Sequence, residues 1–173
     1  MPWRRSPHSK TGGPSLPDLV MLADLLRRSY DDMCFACGRD NPMGIAIRDF
    51  DVSGDRVTAW FRPRPEHRGA PGVLHGGVSA AAVDEIAVWA GIVFAGVVTV
   101  TGTLDLRYRR PVPIDADLRL EGFLVRQTGR RLELGGRLLV DGREAVTGSG
   151  LYLASTPLAD LGISWDPNDI AGR

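Results

Sequence analysis

The chain has 173 residues, 43% of them hydrophobic and 24% charged, which suits one domain with a sizeable core and short tails. Its 21 basic and 21 acidic residues cancel, so no bulk charge draws it to nucleic acid or to an anionic membrane surface. Two cysteines make no disulfide framework, and the first apolar run, residues 19–23, meets Asp24 far short of the ~20 residues a membrane span needs. The expectation is a reduced, cytoplasmic protein with no cofactor and no metal. All but one of the basic residues are Arg, which reads as the codon bias of a GC-rich genome and not as a clue to partners.

Residues 1–17 are rich in proline and glycine and lack an apolar period, so they are expected to form a flexible arm. Over 18–33, apolar side chains at 19, 22, 23, 25, 26 and 30 predict an amphipathic helix. A turn-rich stretch from Cys34 to Asn41 follows. Two short strands are predicted near 44–51 and 55–62, joined at Ser53-Gly54, and the proline-rich segment 63–72 is a loop. Residues 78–93 are rich in alanine, contain no proline and open after a Gly-Gly pair, which predicts the one long helix. Along 98–109 the even positions Val98, Val100, Leu104, Leu106 and Tyr108 are apolar and the odd ones polar, a period of two that predicts a strand with one face on a core. Strands near 116–127, 130–140 and 144–154 are separated by Thr128-Gly129 and by Asp141-Gly142, a strong hairpin signal. Residues 156–173 are expected to be a loosely docked tail. Hairpin-linked strands with one long helix to cover them predict an α+β domain over 34–155.

The segment His75-Gly76-Gly77 enters the long helix, and Asp84 lies nine residues past the histidine. A helix N-terminus offers free N–H groups and the positive end of the macrodipole, and glycine admits a substrate oxygen close to them. That is the equipment of an oxyanion hole, with Asp84 as a base that activates water or as a nucleophile. A plain helix cap and a satisfied polar group would use the same residues. Gly76 and Asp84 are eight residues apart, about 12 Å along a helix axis, too far for one chain to bring both to one carbonyl carbon. Acting together, they require two chains, and hence a homodimer with two composite sites.

His75-Gly76-Gly77 with Asp84 resembles the HGG-x6-D signature of PaaI-type hotdog thioesterases. Cys34-Phe35-x-Cys37-Gly38-x-x-Asn41-Pro42-x-Gly44 resembles the opening of the THEM-like branch, and Tyr108-Arg109-Arg110-Pro111-Val112-Pro113 resembles its post-helix run. The resemblance covers roughly residues 34–154. The resemblance implies a hotdog fold, an antiparallel sheet of about five or six strands wrapped around one long helix. It implies an acyl-thioester hydrolase acting on acyl-CoA or an acyl carrier protein, as a homodimer or homotetramer. It assigns the catalytic carboxylate to Asp84, carbonyl polarisation to the Gly76 amide and an assisting hydroxyl to Thr101, with Thr103 on the same strand face as the alternative. His75 is an orienting partner in this reading, and Gly77 lies at the substrate. Many such enzymes carry Asn or Gln six residues before the histidine, whereas here that position is Gly69, which removes one polar contact from the site.

Arg107, Arg109 and Arg110 are candidates for the phosphates of coenzyme A, or else a solvated strand face. Trp89 and Phe94 suit core packing better than an acyl pocket. Cys34 and Cys37 suit a structural turn: a zinc site usually wants four ligands, and the chain adds only His8, His67 and His75. Two other functions remain in view. One is a non-catalytic acyl-ligand-binding module; the other is an enoyl-thioester hydratase, which would use a differently spaced Asp/His pair.

Overall fold

The computed structural model describes residues 19–29 and 32–168; the stretch 1–17, expected to be an arm, and His8 with it, lie outside them. Helix α1 (Leu19–Ser29) buries Leu19, Leu22, Ala23 and Leu26 along one stripe, as its spacing predicts. It does not run to 33, because Asp32 sits in the left-handed region (φ 52°) and its carboxylate accepts the Arg39 N–H at 2.8 Å, turning the chain. Strand β1 (Arg48–Ser53) pairs with β2 (Arg56–Phe61) as a hairpin. It begins later than residue 44 because Ala46 is also left-handed (φ 58°). Ile45 and Ile47 instead donate backbone bonds to Phe35 and Ala36 in the cysteine turn, at 2.8 and 2.9 Å.

A short 3-10 turn, Pro65–His67, lies in the following loop, and helix α2 (Gly76–Ala95) extends two residues beyond each predicted end. Strands β3 (Val97–Thr101) and β4 (Asp105–Tyr108) take the place of the single strand expected over 98–109. Then come β5 (Leu118–Thr128), β6 (Arg131–Val140) and β7 (Arg143–Pro157). Between β6 and β7, Asp141 and Gly142 both have positive φ, 49° and 73°, as a two-residue hairpin turn of that hand demands.

The antiparallel sheet has the order β1-β2-β5-β6-β7-β3, with β4 also pairing β7. It wraps α2, which packs against β2, β3, β5, β6 and β7. The architecture is the hotdog arrangement, with seven strands where five or six were expected because one edge strand is broken in two. Contact between helix and sheet is close enough to exclude side chains. A Cβ added at Gly122 would fall on the Ile86 carbonyl oxygen, and one at Gly136 would lie 2.5 Å from that of Val83.

The break in the edge strand corrects the simple alternation. A register shift against β7 falls between Val98 and Thr99, and in β3 the threonines face the helix. Thr99 is buried against Gly91, while Val100 is 58% exposed. Gly102 and Thr103 then both donate to the Leu151 carbonyl, at 2.9 and 3.1 Å, and beyond this kink Leu104 and Leu106 regain the helix side, meeting Val83 over Gly148. The apolar face predicted for the whole stretch therefore exists only in its second half.

The stretch after 156 is not loose as far as residue 168. Leu158 and Ile163 are buried, and Trp165 Nε1 donates to the Val93 carbonyl at 2.9 Å. Gly122→Ala should lower stability by about 1–3 kcal/mol, the range for overpacking a tight core, read as an earlier denaturant midpoint at unchanged slope.

Candidate active site

The turn entering α2 is anchored from two sides. His75 N–H donates to the His67 carbonyl at 2.9 Å, and Leu74 N–H to that of Val112, in the Tyr-Arg-Arg-Pro run, at 2.8 Å. Tyr108, at the end of β4, donates its hydroxyl to the Gly76 carbonyl at 2.9 Å. His75 is the N-cap of the helix: its Nδ1 accepts the Gly77 N–H at 3.0 Å, and its own carbonyl accepts the N–H groups of Val78 and Ser79 at 3.0 and 3.1 Å. That leaves one amide of the first turn. Gly76 N–H has no acceptor among the described residues, and Gly76 is exposed. A ring nitrogen that accepts a bond carries no proton, so His75 is held as a cap and its Nδ1 is not free to act as a base.

Gly69 packs against this histidine. A Cβ there would lie 3.1 Å from the His75 Cα, so the space that a longer side chain would need is already taken.

Asp84 sits two turns further along α2, half-buried. Thr101 Oγ1 donates to its carboxylate, 3.0 Å from Oδ1 and 3.2 Å from Oδ2, and the Tyr152 hydroxyl donates to Oδ1 at 2.9 Å. These two donors are cross-strand partners in β3 and β7. Burial, reinforced by the Asp84 charge, pushes Tyr152 well above its ordinary value, so it remains a donor. Thr103 does not share this role, since its hydroxyl accepts the Leu151 N–H at 3.2 Å in the kink.

The arginines lie elsewhere. Arg107 and Arg109 line an open groove of about 720 Å³ on the sheet face away from α2, together with Phe123, Arg137 and Glu144. Arg109 and Arg137 both approach Glu144, at 3.6 and 3.2 Å, and Arg110 is exposed just beyond β4. Trp89 is core: it stacks on Phe50 with ring centroids 4.0 Å apart, and Phe94 packs against the same cluster.

Three residues escaped the sequence reading. Tyr152 sits in an ordinary apolar strand pattern and becomes a site residue only through the register that pairs it with Thr101. Tyr108 was noticed for its motif and not for its hydroxyl. Glu85, next to Asp84, points to Cys34 and Cys37, and its carboxylate accepts Trp89 Nε1 at 3.0 Å. Burial and the neighbouring Cys34 push Glu85 up to about 7. The Cys37 thiol and the backbone N–H groups of Cys37, Ala36 and Gly38, against the opposing effect of burial, hold Cys34 down to about 5.

Residues 71–146, which contain both the capped turn and Asp84, match the family model described as thioesterase superfamily. Over these residues, fewer than half of the chain, the sequence is similar to that superfamily. Among solved structures, zebra fish thioesterase superfamily member 2 is 19% identical, with a TM-score of 0.65 over 82% of this chain and 100% of that one. A hypothetical thioesterase with coenzyme A from Streptococcus pneumoniae is 18% identical, with a TM-score of 0.56 over 63% of this chain and 89% of its own. A Streptococcus mutans protein bound to acetyl-CoA is 18% identical, with a TM-score of 0.57 over 64% and 91%. At these identities the superfamily likeness fixes the hotdog fold, and the chemistry has to be argued from the residues.

His67, whose carbonyl holds the His75 amide, is buried beside Phe61 and accepts the Arg64 N–H on Nδ1 at 3.1 Å. Burial first, then the Arg64 charge, keeps it below its ordinary value of 6.5. The unfolded chain therefore takes up this proton before the folded one does, and stability present above about pH 6.5 is lost as the pH falls below it. Denaturant titrations at pH 7.5 and 5.5 should show a smaller acid loss in His67→Gln than in the unsubstituted protein.

Proposed function

We propose that the chain is an acyl-thioester hydrolase of the PaaI-type, THEM-like kind, working at composite sites between two copies of itself. The observation that carries this reading is the division of labour along α2: a free, exposed Gly76 amide at its N-terminus and, two turns on, a carboxylate held by two hydroxyls. The Gly76 N–H, with the helix dipole behind it, stabilises the oxyanion that forms when the thioester carbonyl is attacked. Asp84 of the partner subunit serves as base for the attacking water or as the nucleophile itself, oriented by Thr101 and Tyr152.

Separation along the helix makes a single-chain site untenable, and the sheet supports a dimer. Among the described residues its order ends at β3, so that edge has no strand beside Thr101, and Val100 there is 58% exposed. The coenzyme A and acetyl-CoA bound by the two streptococcal neighbours support acyl-CoA as the substrate class. The arginine groove faces away from α2, so phosphate recognition by Arg107 and Arg109 would require the acyl carrier to reach around the sheet edge; Arg110, beyond β4, is the better placed of the three.

Thiol release from a panel of acyl-CoA chain lengths tests the reading. Asp84→Ala should lose about 10²–10⁴-fold in kcat, the range for a positioned acid or base; equal rates in both proteins would refute the mechanism. Tyr152→Phe should lower kcat more than it changes KM, because it releases the carboxylate without touching bound substrate. Mixing Asp84→Ala chains with Gly76→Val chains should restore activity if sites are shared. No recovery after proven subunit exchange would refute shared sites.

A further inference from the structure

The geometry points to a zinc-class metal site formed by Cys34, Cys37 and Glu85, on a different face of α2 from Asp84. The two sulfurs of one turn and a Glu85 carboxylate oxygen from α2 all lie within 4.8 Å of one another. Tetrahedral zinc, with Zn–S about 2.3 Å and Zn–O about 2.0–2.2 Å, places its donors roughly 3.3–3.8 Å apart. Small side-chain rotations close that difference.

Each donor is held by something beyond itself. The cysteines sit on a Cys-x-x-Cys-Gly turn closed by Gly38 N–H donating to the Cys34 carbonyl at 3.0 Å. A Cβ at Gly38 would come 2.6 Å from the Cys34 backbone nitrogen and oxygen, so the turn admits only glycine there. Glu85 is oriented by Trp89 Nε1, the outer-shell bond typical of ligating carboxylates, which leaves its second oxygen to turn inward. The buried Arg27 donates its Nε to the Cys37 carbonyl at 3.0 Å and sets a positive charge beside a cluster that would carry three negative ones.

Two thiols and a carboxyl meet in this half-buried place. A divalent ion would displace their protons and be ligated by all three donors. Thiolate donors select zinc over magnesium or calcium, and three protein ligands leave the fourth position to water. Because Glu85 adjoins Asp84, the ion would fasten the α1–β1 connection to the helix turn that carries the carboxylate. The inference does not depend on the thioesterase reading.

The test uses the full chain, expressed with added zinc, purified without an affinity tag under reducing conditions and analysed by inductively coupled plasma mass spectrometry. About one zinc per chain is expected, retained in Asp84→Asn, reduced in Glu85→Gln and lost in Cys34→Ser and Cys37→Ser. Since the serine variants risk misfolding, Co2+ is also added to chelator-stripped, unsubstituted protein. The expected result is a sulfur-to-cobalt charge-transfer band with the visible bands of tetrahedral cobalt. Substoichiometric zinc with no such band, all thiols being reduced, would overturn the site. A Cys34–Cys37 disulfide that forms readily while neither ion is taken up would overturn it too, in favour of a redox pair.

Discussion

Everything distinctive about this molecule depends on how closely α2 lies on the sheet. The helix has almost no polar face, and the sheet meets it with glycines at 122, 136 and 148, where any side chain would strike helix backbone or Val83. Such contact fixes the axial position and rotation of α2 with little freedom, because shifting it by a fraction of a residue would drive Ile86 or Val83 into a strand. A side chain on this helix is therefore aimed as firmly as one on a strand. That rigidity is what a site built from a capped turn and one carboxylate needs.

The same constraint explains why a polar residue is tolerated in so apolar a helix. Asp84 emerges where β3 has rotated its threonines inward, and where Tyr152 from β7 reaches the same oxygen. Two hydroxyl donors meet one carboxylate there, so its oxygens are hydrogen-bonded although the helix around it is apolar. Had β3 kept the alternation of β4, Val100 would face the helix and Asp84 would lose the Thr101 hydroxyl. The kink at Gly102–Thr103, which separates the two alternations, thus places the threonines of β3 on the helix side.

Much of this was legible from the residues. Helix α2, the succession of strands before and after it along the chain, and the turns at Gly129 and Asp141-Gly142 follow from period and turn chemistry, and the His75-Gly76-Gly77 cap follows from its position. What could not be read were features set by pairing between distant segments. The reversal of face in β3 requires the β7 register, and so does the meeting of Thr101 with Tyr152. The docking of Leu158, Ile163 and Trp165 needs a surface that exists only once α2 is in place. The left-handed Asp32 and Ala46, which shortened α1 and delayed β1, are non-glycine residues in a conformation that sequence disfavours and local bonds enforce.

Asp84 and Glu85 show how far environment, and not residue type, decides what a carboxylate does. They are adjacent, but successive helix positions point about 100° apart, so each enters a different neighbourhood. One meets two hydroxyl donors beside an exposed sheet edge. The other meets sulfur and an indole N–H in a half-buried corner, where a charge is tolerated only with a counter-charge. A helix that presented just one of them would need only one supporting shell. Presenting both ties the reactive turn to the cysteine turn, so that anything bound at the second carboxylate stiffens the backbone carrying the first.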